Sequence, residues 1–294
     1  MVASIDGSVE FDPSVDRFNL FAPGVMDNPY PYYSTLRERA PVHFNEEIGL
    51  HYLSRYDDVA ALGRDRQRLI RGDSISGIFA AYRDTALHRV LIYNNLFALD
   101  EPTHGRLKRL VTKTFTRARV EQLVPRMEGI CAQLLDEAGL DRNTMRSLAE
   151  NPEQARALRD DPSLFWTLPD DALRYYSTTQ YNIRQAAATI ELHDTKIPEG
   201  AIVMLLRGSA NRDERRFADP DTFDLRRPDS AAHVGFGEGP TSCTGAMLAR
   251  VEVQVAFRAL QRLGEFRITR WDPGPTKLFW GPRAVEVEYQ PASR

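Results

Sequence analysis

The sequence predicts a mainly α-helical fold with a minor β region, an α+β arrangement. Three observations carry this. Apolar residues recur at helical spacing after Pro102, after Thr116 and from Thr244 to Leu263. Strand-like stretches are confined to a short N-terminal pair, to Gln180–Leu206 and to the C-terminus. Proline and glycine clusters separate these segments without any internal repeat or low-complexity linker. The 294 residues, 42 % hydrophobic and 27 % charged, suit a soluble globular protein with a sizeable core. A net charge of −3 offers nothing to a nucleic acid. No apolar run approaches the roughly 20 residues that span a bilayer, and the polar segment Met1–Asp12 lacks the order of a signal peptide. Two cysteines, Cys131 and Cys243, are too few for a disulfide framework or a zinc site, so a reducing cytoplasm is expected.

Taken in order, residues 1–27 read as irregular, and Tyr32, Leu36 and Ala40 mark a helix from about Pro31 to Arg39. Strands follow at Val42–Asn45 and Leu50–Ser54, joined by a turn at Gly49, and Asp57 and Asp58 open a short helix. Gly72, Ser74, Ser76 and Gly77 make residues 66–99 a loop with local helix. Helices begin after Pro102 and after Thr116, the second running to about Glu137, and Thr144–Glu150 continues as helix. Pro152, Pro162 and Pro169 mark helix starts or turns. Strands are expected at Ala188–Leu192 and Ala201–Leu206 around the Pro198-Glu199-Gly200 turn. An irregular stretch from Asn211 to Pro240 then feeds the helix Thr244–Leu263, and terminal strands include Ala284–Tyr289. Cys131, Met145 and Met247 read as core residues, and His233 as a packing or hydrogen-bonding residue.

The chemistry concentrates in Phe236-Gly237-Glu238-Gly239-Pro240-Thr241-Ser242-Cys243-Thr244-Gly245. Two glycines and a proline ahead of a cysteine predict a tight loop. Cys243 then falls at a helix start, where backbone N–H groups favour a thiolate. A thiolate so held suits the axial position of heme iron, and Gly245 lets a flat macrocycle lie close. A buried, inert cysteine at a helix start is the bland alternative. The pattern Phe-Gly-x-Gly-x-x-x-Cys-x-Gly, followed by Leu248-Ala249-Arg250, resembles the proximal loop of the cytochrome P-450 family in its bacterial form.

That resemblance implies heme b (iron protoporphyrin IX) as cofactor, Cys243 as iron ligand, and Phe236, Thr241 and Gly245 at the heme. Thr241 stands where the family usually has His or Arg on a propionate. Asp100–Val111 is similar to the family helix at the heme edge, which places His104 and Lys108, four residues apart on one face, near the propionates; the family usually has Arg at the second position. Arg184 matches the family's propionate-contacting arginine. Asp171 and Arg174 fall on its Glu-x-x-Arg pair with one methylene fewer, and Arg227 is a third member of that structural network. Surface ion pairs and a solvated basic helix remain the generic alternatives.

The resemblance spans Phe11 to about Glu137 and resumes near Ser147, implying one domain over residues 1–294 with a large deletion relative to the family around 138–147. The missing part corresponds to the lid and most of the central helix. Asp141, in Ala138-Gly139-Leu140-Asp141, resembles the acid of the family's oxygen-activating motif, with Arg142 at the alcohol position and Thr144 the nearest hydroxyl; a helix end capped by Gly139 fits equally. An uncovered heme face forgoes on the order of 200 Å² of burial, roughly 5 kcal/mol, unless residues 66–99 or a partner or second copy cover it.

The resemblance therefore implies a heme-thiolate oxidoreductase of monooxygenase type acting on a small organic molecule. Ferredoxin and ferredoxin reductase would supply electrons against Arg106, Arg109 and Lys113. Two alternatives stay open: a non-catalytic helper activating a partner such as a glycosyltransferase, and a heme enzyme using peroxide or catalysing a rearrangement.

Overall fold

β-Branched and aromatic residues within 42–53, 69–70, 182–186 and 202–205 build a five-stranded sheet. The structure, a computed structural model, describes residues 19–22, 25, 27–71, 96, 99–134, 142–261, 264–273 and 280–291. α1 (Tyr30–Arg39) starts behind Pro29 and buries Tyr30, Tyr33 and Leu36. β1 (Val42–Asn45) and β2 (Leu50–Leu53) form an antiparallel pair around Gly49, which adopts φ 67°. α2 (Tyr56–Arg64) opens with Asp57 and Asp58 at the positive end of its dipole. The loop expected over 66–99 contains a short strand, β3 (Leu69–Ile70), because Leu69 turns into the core beside Ala186; residues 72–95 lie outside the described set.

Two helices follow, α3 (Thr103–Thr112) and α4 (Arg117–Leu134), the second with Pro125 inside it. Next come α5 (Arg142–Glu150), α6 (Pro152–Asp160) and a 3-10 turn at Pro162–Trp166. α7 (Leu168–Tyr175) completes this group, and Met145, Leu148, Phe165, Leu168 and Ala172 share a core with Phe257 and Leu260.

The strands between 180 and 206 depart from expectation. β4 (Asn182–Ala186) and β7 (Ile202–Leu205) pair antiparallel, Ile183 opposite Met204, whereas β5 (Ile190–Leu192) and β6 (Thr195–Ile197) form a separate hairpin. The Gly200 turn therefore links β6 to β7, which belong to different sheets. The hairpin's own turn rests on His193 and Asp194, both at positive φ, which the Pro-Glu-Gly signal overshadowed. β2 and β7 run parallel, Leu50 opposite Ile202. α8 (Arg207–Ala210), α9 (Ala246–Gln261), β8 (Gly264–Pro273) and β9 (Pro282–Pro291) finish the chain, with α4 packed along α9.

Candidate heme-thiolate site

Cys243 lies at the exposed end of a loop fixed by its own backbone. Gly237 (φ 85°) and Gly239 (φ 52°) turn the chain where a Cβ would meet Arg207 and Arg64 at 3.0 Å. The Thr241 N–H and hydroxyl both donate to the Glu238 carbonyl, the Ser242 N–H donates to Gly239, and the Cys243 N–H donates to the Phe236 carbonyl at 2.7 Å. Helix α9 begins three residues later, at Ala246, so the hairpin, more than the helix end, orients the sulfur. A Cβ on Gly245 would meet only the Cys243 Sγ, at 3.8 Å, which leaves that flank open to a flat group. Thr241 directs its hydroxyl back into the loop.

A network that spacing did not reveal ties this loop to the core. His233 Nδ1 accepts from the Gly235 N–H, so Nε2 carries the proton and donates to Asp170 at 3.0 Å. Asp170 also receives Arg250 at 2.7 Å, and the burial that opposes its ionisation is outweighed by these partners, leaving its carboxyl below the usual range. Arg250 lies over the Phe236 ring. On the other side, Glu238 is buried and clasped bidentately by Arg207, with both contacts at 3.0 Å.

The Asp171–Arg174 pair is fully buried, with Nε 2.6 Å from Oδ1. The missing methylene is absorbed because Asp171 also takes the Asp224 N–H at 2.8 Å, while Arg174 reaches the carbonyls of Pro220 and Thr222. Arg227 joins at 3.4 Å from Asp171 and donates to Ala218 and Asp219.

Positive charge collects beside the loop. Arg184 is buried, donates to Asn182 Oδ1 and to the Ile183 carbonyl, and is pushed down to about 9 by burial and by Arg71 and Arg207. Burial likewise lowers Arg71 to about 10, with repulsion from Arg66 adding to it. Arg66 sets Nη2 3.4 Å from Glu101 and leaves Nη1 buried without a hydrogen-bond partner. His104 is buried, 3.4 Å from Glu101, and is held below the usual histidine range by burial and by Arg71. Lys108 shares its face but bonds to the Pro240 and Ser242 carbonyls. Buried cations in such excess need anionic compensation, and a dianionic macrocycle edge would supply it. The residues present thus fit heme b: Cys243 for the metal, Gly245 for the plane, and Arg184, His104 and Arg66 for the carboxylates. Arg66, which the sequence did not single out, lies in the basic run Arg64, Arg66, Arg68, Arg71.

Two core assignments fail. Met247 is 37 % exposed, because α9 becomes buried only from Gln254 onward, and Cys131 is half-buried on the weakly covered α4. Met145 is buried. Asp141 lies outside the described residues; Thr144 is fully buried at the start of α5. Leu110, Val111, Leu123 and Ile130 stay exposed on α3 and α4.

Fold and loop together resemble those of heme-thiolate oxidoreductases that act on small organic molecules. The chain is similar to the cytochrome P-450 family, whose members bind heme b. The family profile described as cytochrome P-450 matches residues 170–276. Cytochrome P-450 123 of Mycobacterium tuberculosis is 26 % identical over 353 aligned positions, covering 80 % of this chain and 87 % of that protein. That alignment is longer than the chain, so the relative has residues without counterpart here. Cytochrome P-450 107B1 of Saccharopolyspora erythraea is 42 % identical over 140 residues, 47 % of this chain and 34 % of that one. The solved CYP109Q5 from Chondromyces apiculatus superposes with a TM-score of 0.83 at 24 % identity, covering 94 % of this chain and 99 % of its own. Among the described residues no helix is long and apolar enough to cross a membrane.

Proposed function

We propose that the chain is a cytoplasmic monooxygenase-type enzyme that oxidises a small, largely apolar molecule. Similarity to the Streptomyces venezuelae monooxygenase PikC, 37 % identical over 49 % of this chain, supports this reading. The observation that carries it is the exposed Cys243 held by the Phe236 carbonyl beside a cluster of buried arginines. When bound, the cofactor supplies dioxygen activation with a thiolate donor. The chain's part is to present the sulfur from the hairpin, to match the carboxylates with Arg184, His104 and Arg66, and to shed water from the pocket. Asp141 is proposed as a proton-relay remnant, and Arg106, Arg109 and Lys113 as the surface meeting a ferredoxin served by its reductase. The exposed apolar residues of α3 and α4 favour a covering partner or second copy.

The helper reading is disfavoured by the retained Cys243. A dithionite-reduced, carbon monoxide-treated sample should give the red-shifted Soret band of thiolate ligation. Cys243→Ala should abolish the band and Cys131→Ala should keep it. A protein that stays colourless after hemin is supplied overturns the enzyme readings. A thiolate band with peroxide-driven turnover but none with ferredoxin would move the assignment to a peroxide-using enzyme.

A further inference from the structure

We infer that Lys108 is a positioning residue for the axial cysteine: its ammonium clamps the Pro240–Ser242 turn and fixes the peptide that carries Cys243. The inference rests on the heme-thiolate reading of that cysteine.

Lys108 sits in the middle of α3, one turn beyond His104. Its Nζ donates to the Pro240 carbonyl at 2.6 Å and to the Ser242 carbonyl at 2.5 Å, with the Ser242 hydroxyl at 3.4 Å. These bonds tie α3 to a loop more than 130 residues downstream. The Ser242 carbonyl and the Cys243 N–H belong to one peptide unit. That N–H donates to the Phe236 carbonyl at 2.7 Å, so the peptide is held at both ends, by an ammonium at its oxygen and a carbonyl at its nitrogen. A planar peptide held at both ends fixes the direction in which the next Cα launches its side chain, and here that side chain is the metal's ligand.

Lysine suits this task. It brings three donors on a compact head, and two carbonyls converging from one turn ask for separate bonds, whereas a carboxylate would ask for a planar fork. Burial lowers its pKa, as does repulsion from Arg71, and the Cys243 sulfur is close enough to act in the opposite direction. The clamp therefore also sets a positive charge beside the sulfur. Thr241 contributes no charge to this turn, because its hydroxyl closes on Glu238 within the loop. The loop thus has three anchors outside the cofactor: Lys108 on its turn, Arg207 on Glu238, and the Asp170–His233 pair behind Phe236.

The test uses Lys108→Met and Lys108→Arg with two readouts. The first is amide hydrogen exchange of the peptide spanning residues 236–245 in the heme-free protein. The second is the rate at which the reduced carbon monoxide complex of the heme-loaded protein loses its thiolate-type band in dilute urea. Lys108→Met should speed both by roughly tenfold or more, the factor that a charge-assisted hydrogen bond to backbone carries. Lys108→Arg, which retains charge and donors, should recover most of the difference. If Lys108→Met weakens heme retention while both rates stay at wild-type values, Lys108 serves the carboxylates and the inference is overturned. If the wild-type protein shows no thiolate band, the heme-thiolate reading falls by itself, and the exchange measurement still decides whether the clamp exists.

Discussion

Arg174 and Asp171 are joined at 2.6 Å with neither side chain exposed to solvent. The pair anchors α7 to the loop at 218–224 through the carbonyls of Pro220 and Thr222 and the Asp224 N–H. Asp171→Ala would leave a buried guanidinium without its counter-ion, and such a loss costs about 3–5 kcal/mol. Urea unfolding of the heme-free protein should show it as a lower midpoint at unchanged slope. Asp171→Glu, which restores the charge, should cost far less.

Gly63 faces Glu238 across the α2–loop contact, where a Cβ would meet the carboxylate at 2.8 Å. Alanine ordinarily gains about 1 kcal/mol over glycine inside a helix. Here the carboxylate would have to leave its bidentate partner Arg207, and overpacking of that kind costs roughly 1–3 kcal/mol. Gly63→Ala should therefore lower the melting temperature, with faster heme loss as the second readout. A melting temperature at or above wild type would show that Glu238 can yield.

Arg184 gives opposite outcomes in the two forms. Its folded pKa of about 9 lies well below the ordinary arginine value, so the unfolded chain holds the proton more tightly across that interval. The heme-free protein should gain stability as pH rises through about 9. Arg184→Met should remove that dependence and raise heme-free stability, while the heme-loaded variant should release heme faster. Thermal melts at several pH values and heme transfer to an acceptor globin would separate the two effects.

His43 and His51 lie on the paired strands β1 and β2, and burial lowers both below the ordinary histidine value of 6.5, with repulsion from His51 adding at His43. The unfolded state then binds more protons below 6.5, so the stability these residues contribute is present above that pH and is lost as pH falls through their folded values. Melts from pH 7.5 to 5.0 should show a decline that His43→Gln with His51→Gln flattens.

The helices and the cysteine loop were legible because each has a local cause. Prolines precede α1 and α3 and open α6, and helical spacing marks α4 and α9. The loop's glycines and Cys243 lie within ten residues. The strand pairing was not legible, since Leu50 meeting Ile202 and Ile183 meeting Met204 are facts of tertiary packing. The same holds for the site. His104 and Arg184 were singled out through family likeness, whereas Glu238 with Arg207 and Asp170 with Arg250 meet from distant parts of the chain and leave no periodic trace. Lys108 reaches the carbonyls of Pro240 and Ser242, which are backbone groups that residue types do not advertise.

The parallel pairing of β2 with β7 joins positions separated by about half the chain. As the polypeptide emerges from the ribosome, the edge of β2 must wait for β7 before its backbone groups are satisfied, a delay that non-local pairing imposes. During that interval β1 and β2 form a lone hairpin with apolar Leu53 and Tyr52 uncovered, and such a hairpin is marginal in water. The β1–β2 hairpin thus depends on the arrival of β7 to complete its pairing during synthesis.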